Sequence, residues 1–386
     1  MAKKVTWKLI LGGGVSNQAS TNFTFHFNQQ LVATGVCPHG TATHIGNAVS
    51  IPGGREPMET KLATILKDLH EQSQPPDIVV LLLGSKDQGT YSSFKYLADL
   101  KYCFQSICVT EANFKPKKKD WNNQDSMRQY VANVAMKANL KFGGINHSVT
   151  GVKDWMAKTL VLGSDLTHPG NGAVDNCPSI AAVVSSVEET GGLFTGQLFL
   201  QEKSDVSQNE NTGPLVSPKL TFQMVRHLKM AFTKALRRWC IRNKRFPENV
   251  LYYRDGVAES QYDELERYEV SLLRTAWTEF GKTAPAGVAV PPPKLTTVIA
   301  TKRHSTRFFP TKKADAMTNE NCHPGTLVDS VVTSPYFSDF FLQTQNAIKG
   351  TARPCHYYVL NNGMGISMTE LEQMVSNIDS KRHSLC

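Results

Sequence analysis

The chain has no Cys-x-x-Cys pair, although it carries eight cysteines, at positions 37, 103, 108, 177, 240, 322, 355 and 386. Thiols scattered in this way argue against a zinc site and against a disulfide framework, and a reduced, cytoplasmic setting is expected. No apolar run approaches the ~20 residues that a helix needs to span a bilayer. The opening MAKKVTWKL lacks a signal-peptide core. No internal repeat is visible. Negative charge is in deficit, with 33 Asp and Glu against 42 Lys and Arg and a net charge of +9. That excess fits either a solvated basic surface or a polyanionic partner. With 40% hydrophobic and 19% charged residues, the 386-residue chain has the apolar mass for a globular core. At roughly 150 residues per domain, its length suggests two domains or three.

What is present alternates between strands and helices. Val5 to Leu11 reads as a strand running into the cluster Gly12 to Gly14. Those glycines invite a dinucleotide-loop reading, but no GxGxxG pattern with a following acid supports it. LATILKDLHEQ, from Leu62, has helical spacing, and DIVVLLL, Asp77 to Leu83, is an apolar strand ending at Gly84. A helix is expected from about Ser92, then a short strand near Ile107 to Val109, then a basic loop at KPKKKD, Lys115 to Asp120. DSMRQYVANVAMKANLKFGG reads as a helix that Asp125 can cap and Gly143 and Gly144 can end. Near Val149 to Thr159 the pattern restarts. SIAAVVSSV and LFTGQLFL flank EETGG as a hairpin, and Leu220 to Trp239 traces one face of a long helix. A further helix is expected from about Glu259 to Phe280, with later strands at Lys294 to Phe309 and Cys355 to Leu360. Strands alternating with helices imply a doubly wound α/β architecture.

Two stretches share one device. TLVLGSDLTHPG and VLYYRDG each run an apolar strand into an aspartate, Asp165 and Asp255, and then a turn. Taken singly, such an aspartate is an ordinary cap or turn residue. Paired on strand ends in a basic chain, the two suit a two-metal nuclease, in which carboxylates hold Mg²⁺ ions for in-line attack on a phosphodiester. Oxygen ligands favour Mg²⁺, or Mn²⁺, over zinc. Tyr91 and Lys95 lie four apart at a helix start that follows a strand, a natural place for an anion. Asn133, Lys137 and Lys141 recur every four residues on the later helix. Together the two faces could pinch a phosphate, with the tyrosine stacked on a base; a solvated lysine stripe is the plainer alternative. TKRHSTRFF, Thr301 to Phe309, reads as a strand whose alternation puts cations on one face, suited to a nucleic-acid backbone.

At this point LGSDLTHPG…PSIAAVVSSV, YYRDGVAESQ, KRHSTRFF and GTARPCHYYVL resemble the PIWI domain of eukaryotic Argonaute proteins. TYSSFKYLADL with NVAMKANLKFGG resembles the MID domain that precedes it. The likeness runs in family order from about Val79 to Leu360, without the N-terminal and PAZ domains, and suggests a fungal-type member. It implies a Rossmann-like MID domain over 1–148, followed by a ribonuclease H-like PIWI domain over 149–386. It also implies a small guide RNA with a 5′ phosphate, a complementary target RNA and a silencing effector protein on PIWI as partners. The implied activity is Mg²⁺-dependent cleavage of paired target RNA, the alternative being a guide-binding module that does not cleave. Tyr91 would stack on the first guide base, and Lys95, Lys137 and Lys141 would hold the phosphate with Asn133 close by. The loop Gly84 to Thr90 would sense that base. Gln105 is a weaker candidate for the family's phosphate-site glutamine, because Ile107 takes the aligned place. Asp165 and Asp255 match the metal-binding aspartates, and Arg303, Arg307 and Arg353 match positions that track the guide backbone. For the family's third acid, Glu202, Asp205 and Glu210 remain alternatives within QEKSDVSQNEN. The family's fourth catalytic group and a tail arginine have no counterpart in ISMTELEQMVSNIDSKRHSLC, so the chain is expected to be abridged or unable to cleave as it stands.

Overall fold

The computed structural model describes residues 4–38, 40, 42–113, 125–146, 153–170, 172–202, 224–284, 290–347 and 349–380. The chain divides into two compact units, Met1–Asn146 and His147–Cys386.

In the first unit the elements are β1 (Val5–Leu11), α1 (Asn17–Ala33), β2 (Ala42–His44), β3 (Val49–Ser50), α2 (Met58–His70), β4 (Ile78–Leu83), α3 (Gln88–Lys95), β5 (Gln105–Thr110) and α4 (Asp125–Lys141). The strands form a parallel sheet of order β2-β1-β4-β5, with β3 also paired to β1. β4 is buried along its whole length, as its unbroken apolar run requires of a strand covered on both faces. Trp7, Phe23, Phe27, Met127 and Val131 fill one face under α1 and α4. Leu62, Leu66, Phe94 and Leu97 fill the other under α2 and α3. Gly84 is fixed by space, since a Cβ there would lie 2.5 Å from the Gly14 carbonyl oxygen. Gly143, at φ +75°, sits in the left-handed turn that closes α4. The helix after β4 begins at Gln88 rather than Ser92, because Asp87 caps it by accepting from the Thr90 amide at 3.1 Å. It then continues as a π-helical turn, Tyr96–Lys101.

The dinucleotide reading of Gly12 to Gly14 meets a physical obstacle. The N-terminus of α1 is already served by a carboxylate. Glu111, which is buried, accepts from the Ser16 amide at 3.0 Å and the Ser16 hydroxyl at 3.1 Å. A phosphate at that helix end would meet a negative charge.

The second unit contains α5 (Lys153–Met156), β6 (Thr159–Thr167), β7 (Ser179–Ser186), β8 (Phe194–Gln201), α6 (Leu228–Asn243), β9 (Asn249–Asp255), α7 (Tyr262–Leu265), α8 (Ser271–Gly281), β10 (Lys294–Thr301), β11 (Thr326–Val328), β12 (Asp339–Gln343), β13 (Cys355–Asn362) and α9 (Met368–Ser380). Its mixed sheet has the order β11-β12-β13-β10-β9-β6-β7-β8. β6, β9 and β10 are parallel neighbours, and β6–β7–β8 is an antiparallel meander that includes the expected hairpin. α6 and α8 cover one face through Phe232, Leu236, Trp239 and Trp277. Met156 of α5 and Leu371 and Met374 of α9 lie against the other. A π-helical stretch, Glu266–Val270, joins α7 to α8, so the expected single helix from Glu259 to Phe280 carries an inserted bulge.

Two expectations change. α6 begins at Leu228; of the earlier positions on its proposed face, Met224 is buried in a bend before the helix, and Leu220 lies outside the described residues. β10 ends at Thr301, so Lys302 to Phe309 is not strand. Ladder partners run out there: β9 stops pairing at Asp255 and β13 at His356. The apparent alternation in KRHSTRFF is therefore not a strand pleat.

Candidate nucleic-acid and metal site

Lys95, Lys137 and Lys141 gather around the edge strand β5, from helices on both faces of the sheet. Lys95 ends α3, and its Nζ donates to the Ser106 hydroxyl of β5 at 2.6 Å. It also pairs with Asp99 one turn on, which accepts from the same hydroxyl. On α4, Lys137 is exposed, while Lys141 and Asn133 are half-buried. Lys141 is held below the usual lysine range, first by burial and then by the nearby charges of Lys95 and Lys137, with Asp99 acting the other way. Cys108 of β5 is pushed up to about 11 by burial, against the opposing influence of Lys95 and Lys137. Lys95 and Lys137 thus both act on Lys141 and Cys108, so the three lysines share one neighbourhood, which is the arrangement a multiply charged anion needs. Tyr91, one turn before Lys95 on α3, is 42% exposed and presents a ring to solvent. Asp87, within the loop Gly84 to Thr90, is committed to capping α3; the Thr90 hydroxyl and amide hold its pKa below the usual carboxylate range. Ile107 is buried in the sheet core and offers no polar group, while Gln105 is exposed at the start of β5.

In the second unit the register places the aspartates side by side. Ser164 of β6 is opposite Arg254 of β9, so Asp165 and Asp255 are the next residues on adjacent parallel strands, which lie about 4.8 Å apart. Both line a cavity of about 470 Å³ together with Tyr253, Ala300 and Lys302. A Cβ built on Gly256 would stand 3.5 Å from the Asp165 Oδ1, so the turn after β9 passes close to the first carboxylate. Lys302 Nζ is 3.6 Å from the Asp255 carboxylate. In the turn after Asp165, His168 Nδ1 is 2.9 Å from the Ser179 hydroxyl, fastening the start of β7.

Behind the aspartates, the residue preceding each one is tied into one buried network. The Ser164 hydroxyl is 2.7 Å from the Tyr252 hydroxyl, which donates to Glu269 at 2.6 Å. Arg254 Nε donates to the same carboxylate at 3.1 Å, and its Nη1 donates to the Asp255 carbonyl. Burial, and then the charge of Glu269, raise the Tyr252 pKa well above its usual value, so the hydroxyl stays protonated and able to donate. Ser164 and Arg254 are thereby linked across the two strands, and that linkage fixes where Asp165 and Asp255 emerge on the opposite face.

Of the arginines assigned to the guide backbone, Arg303 and Arg353 are exposed. Their segments are joined by His304 Nε2, which lies 2.9 Å from the Pro354 carbonyl oxygen. Arg307 is turned back on its own segment and donates to the His304 and Thr306 carbonyls at 2.9 and 2.7 Å. Among the third-acid alternatives, Glu202 is exposed just past β8, while Asp205 and Glu210 lie outside the described residues. Sequence reasoning missed the Ser106–Asp99 brace of Lys95, Lys302 at Asp255, and the whole Ser164–Tyr252–Glu269–Arg254 network. Only Asp99 carried a signal, its spacing of four from Lys95.

A parallel-cored mixed sheet with paired carboxylates at adjacent strand ends defines a ribonuclease H-like protein. Residues 78–386 match the Piwi domain, and the chain belongs to that family, corresponding to the C-terminal MID–PIWI half of an Argonaute. It is 30% identical to rice (Oryza sativa subsp. japonica) argonaute 1B over 96% of this chain and 33% of that protein. It thus spans about a third of the length of the curated relatives it matches. Its fold is similar to Kluyveromyces polysporus Argonaute with a guide RNA, at TM-score 0.77 and 24% identity over 98% of this chain and 42% of that one. The MID–PIWI domains of an N. crassa Argonaute align at TM-score 0.57 and 26% identity, covering 77% of this chain and 74% of that one.

Proposed function

We propose that this chain binds a small guide RNA for RNA silencing, in the cytoplasm and within a fungal Argonaute. In this reading 1–148 is the MID domain and 149–386 the PIWI domain, carrying the paired target RNA and a docked effector protein. One observation carries the proposal: Lys95, Lys137 and Lys141 converge from two helices on the edge strand β5. Lys95, Lys137, Lys141 and Asn133 would take the guide's 5′ phosphate, and Tyr91 would stack on its first base. Arg303, Arg307 and Arg353 would follow the backbone, with Arg307 first leaving its carbonyl partners. The test is equilibrium binding of 5′-phosphorylated against 5′-hydroxyl RNA of one sequence. Tighter binding of the phosphorylated form, steeply weakened by salt, is expected; equal affinities would overturn the assignment.

The lowered pKa of Lys141 gives a pH signature. Phosphate favours its charged form, so affinity is expected to fall as rising pH removes that proton, beginning below the usual lysine range. Lys141→Arg should flatten the fall, because arginine keeps its charge throughout. A fall of the same shape in both proteins would clear Lys141 of contact with the phosphate.

The family implies Mg²⁺ or Mn²⁺, and Asp165 with Asp255 fits such an ion. Two hard oxygen donors stand side by side at a solvent-open cavity, and Mg²⁺ characteristically takes one or two carboxylates and completes its shell with water and phosphate oxygens. Lys302 beside Asp255 is consistent with a place that attracts positive charge. A bound ion would activate water and stabilise the leaving oxygen, giving 3′-hydroxyl and 5′-phosphate ends. The chain's own part is to hold the two carboxylates in register through Ser164, Tyr252, Glu269 and Arg254. Asp255→Ala is expected to abolish Mg²⁺-dependent target cleavage and to weaken Mn²⁺ binding in a direct titration. Cleavage surviving that change would remove the assignment. A guide-binding module without cleavage is the second reading. It differs from the first only in the third acid, of whose alternatives Asp205 and Glu210 lie outside the described residues.

A further inference from the structure

We infer that α6 carries a second RNA-binding surface, on the side of the PIWI sheet opposite Asp165 and Asp255. Between Arg226 and Arg245 every charged residue is a cation. α6 packs on the face formed by Leu160, Leu162, Val250 and Tyr252. The carboxylates share their face with Val161 and Tyr253, the alternate residues of the same strands. The basic helix therefore cannot belong to the site already described.

Several of these cations have little else to do. Lys229 is bridged to Glu279 at 2.7 Å and Arg245 to Glu189 at 2.7 Å. Lys234, Arg237, Arg242 and Lys244 are exposed and enter no ion pair among the described residues. Lys234, Arg238 and Arg242 follow one another at intervals of four, forming a row along the helix. From Lys234 to Arg242 the row extends about 12 Å at 1.5 Å per residue. That length suits successive phosphates of one strand better than a single phosphoryl group.

At the N-terminal end of the helix lies an open groove of about 540 Å³ lined by Arg226, His227, Lys229, Met230, Lys234 and Arg237. Phe199 meets His227 edge-on with ring centroids 5.2 Å apart, and Met230 is 46% exposed. Apolar and aromatic surface set among cations is what an unstacked base requires, and a purely acidic peptide has no use for it. The occupant with the matching chemistry is single-stranded RNA.

The test uses the full chain and a 5′-hydroxyl single-stranded RNA without complementarity to any guide. Lys234→Glu/Arg237→Glu/Arg242→Glu is expected to weaken binding by tenfold or more. The slope of log affinity against log salt should fall by about 2, since each neutralised phosphate of a single strand contributes about 0.7. The loss should be equal for 5′-phosphorylated RNA, unlike that of Lys95, Lys137 and Lys141, so failure here and failure of the guide pocket are separable. Lys234→Gln/Arg237→Gln/Arg242→Gln, a gentler change, should show the same direction if charge reversal disturbs folding. Affinities within twofold of the parent with an unchanged salt slope would overturn the proposal. Competition by polyglutamate as strong as by RNA would also overturn it, and would assign the surface to an acidic protein.

Discussion

Glu269→Ala is expected to lower the melting temperature by about 10 °C. The carboxylate is fully buried, and so is Arg254, with 1% of its side chain exposed. One Glu269 oxygen accepts from the Val225 amide at 2.8 Å, and the other accepts from the Tyr252 hydroxyl at 2.6 Å; Arg254 Nε spans both. Removing the acid leaves a buried guanidinium, a phenol and an amide without their acceptor. Breaking such a pair from one side costs about 3–5 kcal/mol, and a unit of this size loses roughly 2–4 °C per kcal/mol. Differential scanning calorimetry of the two proteins decides it. A shift below about 2 °C would mean that water or a neighbouring group takes over the arginine. The coupling to the site adds a second readout: the variant, measured well below its melting point, should also bind Mn²⁺ more weakly than the parent, because Arg254, which donates to the Asp255 carbonyl, loses its anchor.

The double variant Lys95→Ala/Lys137→Ala is expected to bind 5′-phosphorylated RNA about 100-fold more weakly, or worse, and 5′-hydroxyl RNA only a few-fold more weakly. Hydrogen bonds to charged groups contribute about 1.5–3 kcal/mol each, and two such contacts to one phosphate are removed. Lys95 alone is the more instructive single change. Its ammonium is shared with Asp99 and Ser106, so removing it leaves Asp99 uncompensated beside the incoming phosphate. Lys95→Ala should therefore hurt more than Lys137→Ala, and Lys95→Ala/Asp99→Ala should recover part of the loss. Filter binding at a fixed salt concentration measures all four proteins. Equal losses for the two RNA ends would mean that these lysines touch generic backbone.

The parts of the site that sequence reveals are those that repeat at a regular spacing. Tyr91 with Lys95, and Asn133 with Lys137 and Lys141, recur at the helical interval. Both aspartates follow short apolar runs bounded by turn residues, which read as buried strands and are strands. The resemblance of LGSDLTHPG and YYRDGVAESQ then joins them into one sheet. What supports them is silent in sequence because burial, not spacing, gives it its role. Glu269 sits among Glu264, Glu266 and other surface-type residues of a helical stretch, and nothing in the local pattern distinguishes the acid that points inward. KRHSTRFF shows the reverse error. Its residues alternate as a pleated strand would, but strand formation depends on partners, and both neighbours of β10 have stopped pairing before it begins. Extending the apolar face of α6 back beyond Leu228 overshoots the residue where its helical geometry begins.

Glu111 at the head of α1 has a consequence for how this lobe could change its ligands. The seat where many doubly wound proteins lodge a nucleotide's pyrophosphate is stoppered from within by the chain's own side chain. A free mononucleotide offering its phosphate there would meet a like charge at the threshold. Glu111→Gln would remove that repulsion while leaving an acceptor for Ser16, a change that titration with a free mononucleotide would register.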